Sequence, residues 1–139
     1  MKPTDAELIR AAFKARSFAY TPYSHFKVGA ALLAKNGMVY TGCNIENASF
    51  SPTCCAERTA FFKAVSEGHR DFSAIAVVGG KNGAVTDFFM PCGVCRQVMR
   101  EFCKPDFRIV MVGKDGERRV YTLPDLLPAS FGPESMEGF

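Results

Sequence analysis

Apolar positions recur at helical intervals near the start of the chain, where Leu8, Ile9, Ala12, Phe13, Ala15 and Ala19 follow Thr4-Asp5-Ala6-Glu7, a spacing that fits a capping box. A helix is therefore expected over 5–18, ended by Tyr20-Thr21-Pro22-Tyr23-Ser24, because proline disfavours helical backbone in the residue before it. The pattern then becomes continuous. Val28 to Ala34 reads as a strand buried on both faces, and Lys35-Asn36-Gly37 carries the Asn-Gly signal for a hairpin into a second strand over 38–42. Helical periodicity returns over 53–65, with Gly68 as its left-handed cap. Further segments are a strand over 72–79, a flexible glycine-rich loop over 79–83, a helix over 92–102, and strands over 108–113 and 118–122. Between the last two strands lies a Lys114-Asp115-Gly116 turn, and residues 123–128 form at most a short helix.

One helix, a hairpin, then helices alternating with strands give a three-layer α/β/α sandwich around a five-stranded mixed sheet, with the middle helices crossing between parallel strands. Neither repeats nor linkers interrupt it, so 1–139 reads as one domain. A chain of 139 residues buries an ordinary core but encloses a deep pocket with difficulty, so a neighbouring subunit is expected to help wall any site.

Composition removes several classes. With 47% hydrophobic and 22% charged residues the chain is neither disordered nor fibrous. The net charge of +3 is spread out, Arg118-Arg119 being the largest basic cluster, so duplex nucleic acid is not an expected partner. No apolar run reaches the roughly 18 residues that span a bilayer. A cytoplasmic location is the expectation, and there six cysteines are better explained by metal binding or catalysis than by disulfides.

Cys92 and Cys95, three apart at a helix start, lie on one helical face and can grip one ion. Cys55 stands at the start of the other middle helix, followed by Glu57. Residues two apart diverge in mid-helix, so Cys55 and Glu57 share a centre only if it sits off the helix end. Helix starts also favour the thiolates that zinc requires. Three cysteine ligands leave a fourth tetrahedral position open, the mark of catalytic rather than structural zinc. Three thiolates on Zn²⁺ leave a net −1, which Arg58 and Arg96, one after each ligand group, are expected to temper by donating hydrogen bonds to sulfur. A dithiol redox pair at 92–95 and a closed four-ligand site using Cys54 or Cys103 are the alternatives. The absence of tryptophan and the Cys55-Glu57 pairing weigh against the first, and the adjacency of Cys54 to Cys55 against the second. His25 and His69 lack ligand spacing, and Cys43 and Cys103 read as small buried hydrophobes. Asn44, Glu46 and Asn47 place three hydrogen-bonding side chains at a strand end.

Four ordered motifs resemble those of the small homotetrameric cytidine deaminases: 20–32, Asn44-Ile45-Glu46-Asn47, Cys55-Ala56-Glu57-Arg58-Thr59-Ala60 and Pro91-Cys92-Gly93-Val94-Cys95-Arg96-Gln97, with Leu126 to Phe131 completing a likeness over nearly the whole chain. The resemblance implies one zinc per subunit on Cys55, Cys92 and Cys95, a water attacking C4 of cytosine, and Glu57 as the proton carrier. It further implies that Asn44 and Glu46 bind the ribose 3′-hydroxyl, that Phe26 stacks near the pyrimidine, and that Phe131 reaches into a neighbour's site in a homotetramer. Phe50 stands where relatives carry tyrosine, which removes a hydroxyl from the sugar end. Cytidine and 2′-deoxycytidine, in pyrimidine salvage, are the implied substrates. A modified nucleoside or cytidine within RNA is the neighbouring enzymatic reading, and a non-catalytic zinc-binding module the one from another class.

Overall fold

A computed structural model describes residues 2–82, 84–85 and 88–136. Helix α1 spans Asp5–Arg16 and opens with the capping box: the Thr4 hydroxyl accepts the Glu7 N–H at 3.2 Å, and Glu7 accepts the Thr4 N–H at 3.1 Å. It stops short of Phe18 because Ser17 turns its N–H and hydroxyl back onto the Lys14 carbonyl, at 3.2 and 2.7 Å.

The sheet contains β1 (Phe26–Ala34), β2 (Val39–Cys43), β3 (Phe72–Lys81), β4 (Arg108–Val112) and β5 (Arg118–Thr122), in the order β2-β1-β3-β4-β5. Only β3 and β4 pair in parallel; the other neighbours are antiparallel. Helix α2 (Ala56–Ser66) links β2 to β3, and α3 (Gly93–Phe102) crosses from β3 to β4. The short α4 (Leu123–Leu126) follows β5.

The strand period of two divides the core between the faces. Ala31, Leu33, Ala76, Val78 and Val110 pack with Leu8, Ile9 and Ala12 of α1. On the opposite face Val28, Ala30, Leu32, Ile75, Val77 and Ile109 pack with Phe61 of α2, Met99 of α3 and Leu123 of α4. These are the three layers the sequence pattern implies. Two glycines set the spacing between them. A Cβ on Gly29 would lie 2.6 Å from the Arg16 nitrogen, and one on Gly42 would lie 2.6 Å from the Ala60 nitrogen and run into the Ala56 carbonyl. Helices α1 and α2 thus rest directly on the sheet backbone, from opposite sides.

The expected flexible loop at 79–83 is corrected in part. Gly79, Gly80 and Lys81 extend β3, paired with Val28, Lys27 and Phe26. Glycine's local freedom is overridden there by the ladder that β1 offers, and Gly80 is required by a close return of the chain: its Cβ would meet the backbone of Ala84. Gly83, the last residue of that expectation, lies outside the described residues.

Candidate active site

Helices α2 and α3 begin beside one another, with Cys55 and Cys92 as their N-cap residues. Helix α2 thus starts three residues later than the 53 read from periodicity and α3 one residue later than 92, which leaves Cys55 and Cys92 just ahead of the helices they cap. Neither cysteine makes a side-chain capping bond, so both thiols are free to turn toward a shared centre next to exposed helix N–H groups. Cys95, one turn into α3, completes the group. The Cys55 and Cys92 sulfurs are 3.7 Å apart, those of Cys92 and Cys95 3.4 Å, and all three lie within 4.8 Å of one another.

Arg58 Nη2 donates to the Cys55 sulfur at 3.3 Å. The Cys55 thiol is held down at about 5, first by a hydrogen bond shared with Cys95 and then by Arg58 and Cys92, against the effect of burial. Cys95 moves the opposite way, chiefly because it shares that bond with an ionised Cys55 and is itself buried. Three thiols this close cannot all ionise alone; a dication is what would let them. The separations also suit one. A zinc–sulfur bond of about 2.3 Å in a tetrahedron places neighbouring sulfurs about 3.8 Å apart. The residues therefore fit a zinc ion, held by Cys55, Cys92 and Cys95.

Glu57 enters from the second position of α2 and is only 3% exposed. Burial raises its carboxyl to about 7, with the negative charge on Cys55 adding to the effect and its own backbone N–H opposing it. A carboxyl poised near neutrality can both take and give a proton at physiological pH.

A cleft of about 290 Å³ joins these groups, lined by Ser24, Phe26, Asn44, Glu46, Cys55, Glu57, Phe89, Met90 and Cys92, among others. Its polar end is tightly built. The Asn44 side chain accepts the Val28 N–H at 2.9 Å and donates to the Phe26 carbonyl at 2.7 Å, bracing the start of β1. Glu46 accepts the N–H groups of Tyr23 and Ser24 at 3.0 and 3.1 Å and the Ser24 hydroxyl, and that hydroxyl is the main cause of its lowered pKa. Ile45 exchanges two backbone hydrogen bonds of 2.9 Å with Cys54, so this end is stitched to the residue before the first sulfur ligand. The apolar wall is Phe26, whose ring sits 6.0 Å from that of Phe89, together with Met90.

Not every expected residue is here. Phe50 is 74% exposed with a φ of 63°, and Phe131 is 61% exposed; neither lines the cleft of its own chain. The expectation that Arg96 donates to sulfur is overturned. Its Nε donates to the Pro91 carbonyl at 2.8 Å and its Nη1 to the Leu126 carbonyl at 2.7 Å, so it ties the turn before Cys92 to the end of α4. Directly after a ligand that faces the centre, residue 96 points elsewhere on the helix. Cys54 turns its sulfur to the Thr59 hydroxyl, 3.6 Å away, and Cys103 is buried in the core. Phe89 and Met90 escaped the sequence reading because they belong to no periodic element. Their one signal was adjacency to Pro91-Cys92.

The sulfur cluster, the buried carboxyl and the polar-ended cleft together define a class: an α/β protein with an open thiolate metal site beside an acid–base group. Comparison with known proteins agrees. Residues 2–112 match the profile of the cytidine and deoxycytidylate deaminase zinc-binding region. A cytidine deaminase of Sporosarcina psychrophila is 51% identical over 94% of this chain and 93% of its own, and one of Halalkalibacterium halodurans is 52% identical over 93% and 95%. The crystal structure of cytidine deaminase from Burkholderia pseudomallei superposes with a TM-score of 0.85 at 50% identity, covering 93% of this chain and all of that one. The chain belongs to the cytidine and deoxycytidylate deaminase family.

Proposed function

We propose that this chain is a cytidine deaminase that hydrolyses cytidine and 2′-deoxycytidine to uridine and 2′-deoxyuridine, releasing ammonia, in pyrimidine salvage. The observation that carries the reading is the placement of Glu57, buried and raised to about 7, on the same cleft as the Cys55, Cys92 and Cys95 sulfurs. One zinc per subunit, bound by those sulfurs, would supply Lewis-acid activation of a water.

The chain's own residues supply the rest. Glu57 takes a proton from the attacking water and delivers it to ring N3, then takes the second proton from the oxygen now on C4 and gives it to the amino group, which leaves as ammonia. Burial favours this two-way traffic, because neither protonation state is held strongly at neutral pH. Arg58 donates toward the thiolate of Cys55 and offsets the surplus negative charge. Phe26 and Phe89 offer aromatic faces to the pyrimidine. Asn44 and Glu46 face the sugar with groups already fixed by the backbone, so binding the 3′-hydroxyl orders little further. A cleft of about 290 Å³ is at the lower end for small-molecule sites and suits a free nucleoside better than a polynucleotide.

Phe131, displayed outward, is assigned to the site of a neighbouring subunit in a homotetramer, and Phe50 to the sugar end of the substrate site. All six cysteines are free thiols, consistent with a reducing cytoplasm. Among the described residues no helix is long and apolar enough to cross a membrane. An ultraviolet assay on zinc-loaded protein tests the function: unchanged cytidine absorbance, with metal content verified in the same preparation, would refute it.

A further inference from the structure

The helix that supplies two of the sulfurs also holds the tail of the chain. Beyond Cys92 and Cys95, α3 presents Gln97 and Arg100 to residues 130–134. Gln97 Nε2 donates to the Phe131 carbonyl at 2.9 Å. Arg100 Nε donates to the Ser130 hydroxyl at 2.9 Å, its Nη1 donates to Glu134 at 3.2 Å, and an ion pair with the same carboxylate completes the grip. The tail is thus held before Phe131 by the Ser130 side chain, at Phe131 by its carbonyl and after it by the Glu134 side chain, while the phenylalanine ring remains 61% exposed. A large exposed aromatic on a free tail would be expected to fold back onto the nearest apolar surface, and a cavity of about 590 Å³, lined by Leu123, Leu127, Ser130 and Pro133 among others but not by Phe131, borders this segment. Three side-chain contacts from one helix oppose that collapse.

Gly132 makes the grip possible. A Cβ there would lie 2.6 Å from Arg100 Nη2 and closer still to the guanidinium carbon, so the plane of Arg100 passes over residue 132 in the only space a side chain could use. The backbone of Gly132, with φ −154° and ψ −173°, lies in the extended region that other residues also adopt. Its lack of a side chain therefore serves Arg100 rather than the turn.

We propose that Arg100 is a positioning residue for substrate binding: with Gln97, and in the space left by Gly132, it holds the tail so that Phe131 projects outward to cover a neighbouring subunit's cleft. This rests on the assignment of Phe131 to that cleft. Its distinctive consequence is that Arg100 acts only through Phe131.

Steady-state cytidine kinetics on the zinc-loaded enzyme, with sizing chromatography and metal content checked for every variant, form the test. Phe131→Ala, Arg100→Ala and Gly132→Ala should each raise KM at least about threefold with kcat within about twofold, since they remove ground-state contacts and leave the reacting groups in place. Gly132→Ala is the informative variant because it retains Arg100 and only displaces its guanidinium. In the Phe131→Ala background, adding Arg100→Ala should change KM by less than about twofold. If Phe131→Ala raises KM while Arg100→Ala and Gly132→Ala do not, or if the single effects multiply, the clamp is wrong and the Phe131 assignment stands. If Phe131→Ala itself changes nothing, that assignment falls and takes the clamp with it. Should Arg100→Ala fail to fold, Gly132→Ala and Gln97→Ala in the same cycle with Phe131→Ala decide the matter. Gln97 is exposed on a helix, where alanine is well tolerated.

Discussion

Replacing Glu57 by glutamine should cut activity by orders of magnitude and at the same time make the protein more stable than its parent at alkaline pH. The carboxyl is 3% exposed and its pKa is raised from 4.5 to about 7, mainly by burial. A group with a raised folded-state pKa binds more protons folded than unfolded, so its contribution is fully present below the unfolded value and is lost as pH rises through the folded one. For these two pKa values the linkage relation makes the loss small by pH 5 and nearly complete by pH 8, on the order of 3 kcal/mol in all. Glutamine has nearly the same shape, carries no charge and does not titrate in this range. The stability difference between Glu57→Gln and the parent should therefore shift in favour of glutamine, by on the order of 2 to 3 kcal/mol, between pH 5 and pH 8. Urea unfolding of both proteins, zinc-loaded and matched in metal content, measures this directly, because effects of pH on metal binding common to the pair cancel in the difference. Activity should fall by about 10²- to 10⁴-fold, the usual worth of a positioned proton carrier. A pH-independent stability difference would show that Glu57 is not the buried, neutral-leaning acid on which the mechanism depends.

Three other outcomes are expected. Arg58→Ala removes the donor to the Cys55 sulfur and should weaken zinc retention by about 10- to 100-fold in chelator competition, while an unaltered affinity would show that the thiolate needs no such partner. Stripping the metal should expose a thiolate at Cys55, alkylated at pH 6 well before Cys103, whose thiol burial pushes far up; mass spectrometry of the labelled peptides gives the order. Gly80→Ala forces a Cβ into the backbone of Ala84 and should cost at least about 2 kcal/mol, seen as a drop of several degrees in Tm, because Gly80 is held in β3 by its pairing with Lys27 and a backbone segment must move to make room.

The layers of the fold were legible because β1 and β3 are apolar on both faces and α1 on one, and those patterns follow from burial alone. The meeting of Cys55, Cys92 and Cys95 was legible from spacing at two helix starts. What sequence could not deliver was direction. Arg96 follows a ligand in the chain, yet a helix turns about 100° per residue, and its guanidinium ends on the carbonyls of Pro91 and Leu126. Gly79 and Gly80 signalled freedom in isolation but were claimed by pairing with β1, a long-range event that local propensity does not register. Phe89 and Met90 reached the cleft through a segment with no period to read.

The contact at Gly42 bears on how this site tolerates change. Because Ala56 and Ala60 of α2 meet the sheet there through backbone atoms, the height of Cys55 and Glu57 above β2 is fixed by a hard stop and not by the sizes of neighbouring side chains. Core residues such as Phe61 can then be exchanged for others of similar volume without tilting the reactive end of the helix. Sequence drift in the interior is thereby decoupled from the alignment of the chemistry, and a single added methyl at residue 42 is the small change with the leverage to break it.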